Sequence, residues 1–129
     1  MLVVRHGALT LINVHAESNY SSRTPLGINK AQLNREAQLE QMAAYPDEAY
    51  DQASVYVLAG DFNMHNGGAT ILEQRGWVDA GQVCKTNIPN CECLQGWTWR
   101  KGATKKNYDR IFLWRPKGED AHFQRARVL

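Results

Sequence analysis

The sequence predicts an α+β fold in which short strands surround one longer helix, and three observations carry that prediction. Residues 54–59, Ser-Val-Tyr-Val-Leu-Ala, are rich in β-branched and aromatic side chains and too short for a typical helix. That run reads as a strand buried on both faces, and it stops abruptly at Gly60-Asp61-Phe62-Asn63. Residues 28–44 set Ile28, Ala31, Leu39 and Met42 on one helical face, and further strand-like runs lie on either side. A chain of 129 residues is one domain, residues 1–129, or a piece of one, and is long enough for a substantial core.

In chain order, residues 2–5 and 8–15 read as two strands joined at His6-Gly7, with the second apolar on both faces and therefore central. Residues 19–27 hold Ser, Arg, Thr, Pro and Gly without periodicity and form a loop. The helix from about Ile28 carries Arg35 within its apolar stripe, an arginine expected to snorkel to the core edge or pair with a carboxylate. Pro46-Asp47 is expected to stop it. After the Gly-Asp-Phe-Asn strand come a turn at residues 64–68, a short helix at residues 69–75 ended by Gly76, and a brief extended piece at residues 77–80. A long loop at residues 81–95 precedes strands at residues 97–99 and 108–114, which flank a basic turn. A last strand is expected at residues 122–129.

Composition narrows the function classes. A hydrophobic fraction of 43% with 22% charged residues is that of a soluble globular protein, and no apolar run is long enough to span a bilayer. Met1-Leu2-Val3-Val4 is followed at once by Arg5, too short a core for a signal peptide, so an intracellular, cytoplasmic setting is expected. Cys84, Cys91 and Cys93 lack the fourth ligand of a structural zinc site and read as reduced thiols in a loop. A net charge of +2 does not by itself declare a nucleic-acid partner. Its distribution is more telling, because Arg100, Lys101, Lys105, Lys106 and Arg110 cluster beside Trp97, Trp99 and Tyr108. Such a segment suits a phosphate backbone with stacked bases, or is a solvated loop beside core tryptophans.

Three strand ends carry polar groups: His15 with Glu17 and Ser18, Asp61 with Asn63, and Asp109 with Arg110. Any one of them is ordinary, and Gly-Asp-x-Asn in particular also reads as an Asx-type turn. Presented from three strands of one sheet, they could converge on a phosphate. Asp61 would align or deprotonate a water, Asn63 and His15 would donate to phosphoryl oxygens, and Asp109 would orient a neighbouring imidazole.

Four blocks in order resemble the endonuclease/exonuclease/phosphatase superfamily, the deoxyribonuclease-I-like fold. They are Asn13-Val14-His15-Ala16-Glu17-Ser18, Arg35-x-x-Gln38-Leu39, Gly60-Asp61-Phe62-Asn63, and Thr98-Trp99 followed by Tyr108-Asp109-Arg110-Ile111-Phe112-Leu113. The His-x-Glu-Ser form is similar to the tyrosyl-DNA phosphodiesterase 2 branch. The resemblance implies the C-terminal half of a four-layer αββα sandwich, without its first strands and its last strand. It implies Mg²⁺-dependent hydrolysis of a phosphodiester or phosphomonoester by metal-assisted water attack in the complete domain. Asp61, Asn63, His15 and Asp109 take catalytic roles on that basis, with Ser18, His65 and Arg110 as phosphate contacts.

The family's principal Mg²⁺ ligand, a glutamate, would lie before Met1, and its Ser-Asp-His strand has no counterpart up to Leu129, so no metal ligand is assigned here and His122 is not given the missing role. His65 also stands where the tyrosyl-DNA branch often has an arginine. The alternative expectation is an inactive fragment or pseudoenzyme that binds a phosphate-bearing ligand or a partner. The partners expected are a phosphate-bearing substrate, nucleic acid among them, and a second copy through exposed sheet surface. A phosphatase or phospholipase acting on small or lipid substrates is a third class that the same fold serves.

Overall fold

The chain opens with a hairpin whose turn is set by Gly7. Strand β1 (Leu2–His6) and β2 (Leu9–His15) pair antiparallel with His6 opposite Leu9, which leaves a two-residue turn with Gly7 at φ 58°. The computed structural model describes residues 1–17, 29–48, 55–64, 67–82, 99–106 and 108–115. After β2 the chain enters α1 (Lys30–Glu48) and returns as β3 (Val55–Asp61), parallel to β2, forming a βαβ unit. Then follow α2 (Gly67–Gln74), β4 (Val78–Asp79), the pair β5 (Trp99–Lys101) and β6 (Thr104–Lys106), and β7 (Asp109–Trp114). The main sheet runs β1-β2-β3-β7-β4, while β5 and β6 form a separate two-stranded sheet.

Helix ends follow local chemistry. Asn29 caps α1, its Oδ1 accepting from the Gln32 amide at 3.1 Å. Gly76, at φ 85°, closes α2 in a Schellman arrangement: the Trp77 amide donates to the Leu72 carbonyl at 3.1 Å and the Gly76 amide to the Glu73 carbonyl at 3.0 Å. Pro46 does not stop α1 as expected. It sits inside the helix, which runs on to Glu48, and its buried ring faces inward. Proline removes one backbone donor there, a modest loss so near the helix end.

Helices α1 and α2 lie on one face of the sheet. Ile12 and Val14 of β2, Tyr56 and Leu58 of β3 and Phe112 of β7 pack with Leu39, Met42 and Ala43 of α1 and Leu72 of α2. Each fully buried large side chain contributes about 1.5–3 kcal/mol relative to exposure. Trp77 joins this core and donates its indole N–H to the Ala43 carbonyl at 3.2 Å, so its polar edge is satisfied. Phe62 packs edge-to-face on Phe112, their centroids 5.4 Å apart, which anchors the chain just past β3.

The opposite face corrects the expectation of two-sided burial. Leu9, Leu11, Asn13 and His15 alternate with the buried residues of β2 and are exposed, and Leu2, Val4 and Ile111 fall on the same side by register. Apolar content alone could not distinguish a covered face from an open one. The basic turn is also corrected: residues 99–106 are a hairpin, with Gly102 at φ 59° in its two-residue turn. The strand expected at residues 122–129, the loop at residues 19–27 and most of residues 81–95, with all three cysteines, lie outside the described residues.

Candidate active site

His15, Asp61 and Asp109 stand in one row across three adjacent strands. The parallel register of β2 and β3 sets His15 against Asp61, and the antiparallel register of β3 and β7 sets Asp61 against Asp109. Neighbouring strands are about 4.8 Å apart, so the row spans roughly 10 Å. All three residues fall on the open face, at one end of the sheet. Two carboxylates directly opposite one another are unfavourable in a sheet, and a pair so placed draws a cation or a proton donor towards it.

The end of β3 is both strand and turn, so the two readings of Gly-Asp-Phe-Asn are not alternatives. Asp61 is the last residue of β3. Its Oδ1 accepts from the Asn63 amide at 2.7 Å, an Asx turn, while Asn63 takes φ 48°. Asn63 therefore does not continue the strand, and its side-chain amide donates to the Ala16 carbonyl at 2.9 Å. The Ala16 amide in turn donates to the Asp61 carbonyl at 2.9 Å, and the Phe62 amide to the Tyr108 carbonyl at 2.8 Å. Those bonds lash the ends of β2, β3 and β7 together around the row.

Gly60 makes that closeness possible. A Cβ there would lie 2.0 Å from the Val14 carbonyl oxygen, and the residue adopts φ 142°. No other residue type fits between β2 and β3 at this point.

From the other side, α1 grips the residue that follows Ala16. Arg35 donates through Nη1 to the Glu17 carbonyl at 3.2 Å, Gln38 accepts the Glu17 amide at 3.3 Å, and Asn34 donates to the Glu17 carboxylate at 2.7 Å. Arg35 is buried and bonds a backbone carbonyl, in place of the expected snorkelling to the core edge or pairing with a carboxylate. Glu17 is thereby a structural residue. Arg35 and Gln38 were legible from the motif they share, whereas Asn34 carried no separate signal.

Arg110 does not join the row. Alternation along β7 turns it to the helix-bearing face, where it pairs with Asp79 at 3.5 Å, the two side chains only 9% and 7% exposed. Asp79 also accepts the Gly81 amide at 2.8 Å. Nothing in Trp77-Val78-Asp79 had marked this aspartate as the partner of Arg110. Ser18 and His65, the other expected phosphate contacts, lie outside the described residues.

The row does not by itself make a Mg²⁺ centre. Among the described residues no three His, Cys, Asp or Glu side chains come together to hold a metal ion. Among the same residues no helix is long and apolar enough to cross a membrane.

No protein-family model matches the sequence, and no match is found among curated proteins. Solved structures do match. A humanized D. rerio TDP2 carrying 14 mutations is 22% identical with a TM-score of 0.60, over 87% of this chain and 42% of that one. D. rerio TDP2 complexed with single-strand DNA product is 19% identical with a TM-score of 0.59, over 88% of this chain and 44% of that one. A double mutant of Staphylococcus aureus beta toxin with bound magnesium ions is 14% identical with a TM-score of 0.51, over 81% of this chain and 37% of that one. The chain thus spans less than half the length of these structures. The fold is α+β and matches part of the deoxyribonuclease-I-like fold, in agreement with the four sequence blocks.

Proposed function

We propose that this chain carries one wall of a phosphodiester-hydrolysing site of the deoxyribonuclease-I-like kind. The observation that supports this most directly is the in-register row His15, Asp61, Asp109, beside Asn63 at the same strand end. In this reading Asp61, its Oδ1 held by the Asn63 amide, orients or deprotonates the attacking water. His15 and Asn63 offer N–H donors to the phosphoryl oxygens, and Asp109 steadies an imidazole at the edge of the row. Mg²⁺ belongs to the complete domain in this reading, and no step is assigned to it on the residues present.

The test is hydrolysis of bis(4-nitrophenyl) phosphate by residues 1–129 with Mg²⁺, compared with Asp61→Asn and His15→Ala. Turnover that falls about 10²–10⁴-fold in both variants is the expected result, the size of a lost acid–base group. Turnover indifferent to Asp61→Asn would sink the assignment. If the isolated chain is silent, titration with inorganic phosphate followed by NMR is expected to move the His15, Asp61 and Asn63 signals first, and signals elsewhere moving first would count against the site.

A second reading, a non-catalytic module that binds a partner or a second copy, is favoured by the open sheet face. Leu2, Val4 and Ile111 are 63%, 50% and 51% exposed there, and Leu9 and Leu11 add to the same surface. Contiguous apolar area of this kind marks an association surface. Light scattering on the wild type and Leu11→Lys checks the second-copy form of this reading: a dimer or larger species that dissociates in the variant supports self-association, and a wild-type monomer refutes it.

A further inference from the structure

The open sheet face is polar at its two ends and apolar between them, and the two ends differ in sign. Side chains on this face repeat at every second residue, about 6.7 Å along the strands. One end is the row His15, Asp61, Asp109. The next row is Leu2, Asn13, Ala59 and Ile111. After it come Val4, Leu11, Val57 and Leu113, a wholly apolar row. The far row holds His6, Leu9 and Val55, and strand alternation brings Arg115, one residue beyond β7, to the same level. Two carboxylates therefore lie at one end, and an imidazole and a guanidinium in a row without an acid lie at the other, about 20 Å away.

Such a face is complementary to its own inverted copy. A two-fold axis lying between two facing sheets, perpendicular to the strands, lays each strand over its own mate running the other way. Asp109 then stands over Arg115 of the second copy and Arg115 over its Asp109, while the apolar rows close on each other, Leu2 over Val4 and Ile111 over Leu113. Contact of this kind is isologous, so every pair occurs twice. The same axis sets Asn13 one row from its own mate, where the two side-chain amides can bond to each other. A two-fold parallel to the strands instead sets acidic row against acidic row. Four carboxylates would then meet between sheets about 10 Å apart, a costly arrangement once water is excluded.

On the reading that the open face is an association surface, we propose that a second copy of this chain covers it in the inverted orientation. The two sheets lie at the centre of this dimer, with α1 and α2 of each copy on the outside. Leu2, Val4, Leu9, Leu11 and Ile111, exposed in the single chain, become its core. Each end of the interface carries one row of His15, Asp61 and Asp109 faced by Arg115 of the other copy, so the second copy contributes a cation beside the row.

The test is sedimentation equilibrium of residues 1–129 as the wild type, Asp109→Arg, Arg115→Asp, the charge-swapped Asp109→Arg/Arg115→Asp, and a one-to-one mixture of the two single variants. Circular dichroism of each shows whether the main sheet is intact. Either single reversal sets like charges opposite each other at both ends of the dimer and is expected to raise its dissociation constant about tenfold or more. The charge-swapped variant and the mixture both restore opposite charges at both ends, and each is expected to recover most of the wild-type affinity. Added salt is expected to weaken the wild-type dimer through the same pairs. A dimer that Leu11→Lys dissociates but the reversals leave unchanged would overturn the inverted orientation and keep the open face as an association surface. Reversals that neither the charge-swapped variant nor the mixture rescues would do the same. A wild-type monomer would overturn the proposal and association with a second copy together.

Discussion

Asn63 donates its side-chain amide to the Ala16 carbonyl at 2.9 Å, bridging the ends of two strands while its backbone sits at φ 48°. One residue thus does two separable things. It tolerates the left-handed region, which asparagine does better than most non-glycine residues, and it supplies the bridge. Asn63→Gly keeps the backbone and loses the bridge, at an expected cost of about 1 kcal/mol. Asn63→Ala loses both and is expected to cost about 1–2 kcal/mol more. Urea unfolding of the two variants measures the difference, and equal stability would contradict it.

Gly60 and Gly7 both have positive φ, but only Gly60 is crowded. Gly60→Ala is expected to cost more than about 2 kcal/mol because the new Cβ must displace the Val14 carbonyl, whereas Gly7→Ala meets open space and should cost about 1 kcal/mol. Thermal unfolding of the pair tests the contrast. Similar melting temperatures would show that β2 and β3 are not so tightly apposed.

Asp79→Ala leaves the Arg110 charge buried without its carboxylate and is expected to cost about 3–5 kcal/mol. The double substitution Asp79→Leu/Arg110→Met removes both charges and should recover most of that loss. A double-mutant cycle in guanidinium chloride reads the coupling, and strictly additive losses would mean that the pair acts independently.

Arg35→Met removes the grip on the Glu17 carbonyl and should cost about 1–3 kcal/mol, with Arg35→Lys intermediate. Native-state hydrogen exchange gives the sharper measurement. The Ala16 amide, bonded to Asp61, is expected to lose protection before the amides of α1 do. Uniform loss across the chain would assign Arg35 to global packing instead.

Much of this was legible in the sequence wherever a local rule had no competitor. Gly76 ended α2, Gly7 made a hairpin turn, and the β-branched run before Gly60 made a strand. The polar strand ends were recognisable by their recurrence, and the register then aligned His15, Asp61 and Asp109. What escaped depended on distant partners. Burial of one sheet face instead of two depends on what covers it, and Pro46 was tolerated because its ring found a buried position near the helix end. Arg110 beside Asp109 looked like part of the same site, yet strand alternation and the remote Asp79 carried it to the other face.

The parallel pairing of β2 with β3 sets when the row can exist during folding. The bond from Asn63 to Ala16 joins residues 47 apart in the chain, and β7 adds its aspartate only after docking antiparallel to β3. Non-local pairing of this sort pays loop-closure entropy before it gains any contact, so it forms late. The β1–β2 hairpin, which closes locally, carries His15 but has nothing to set against it. Whatever chemistry the row performs is therefore an indicator of completed assembly: a partly folded chain holds every one of these side chains and none of their geometry.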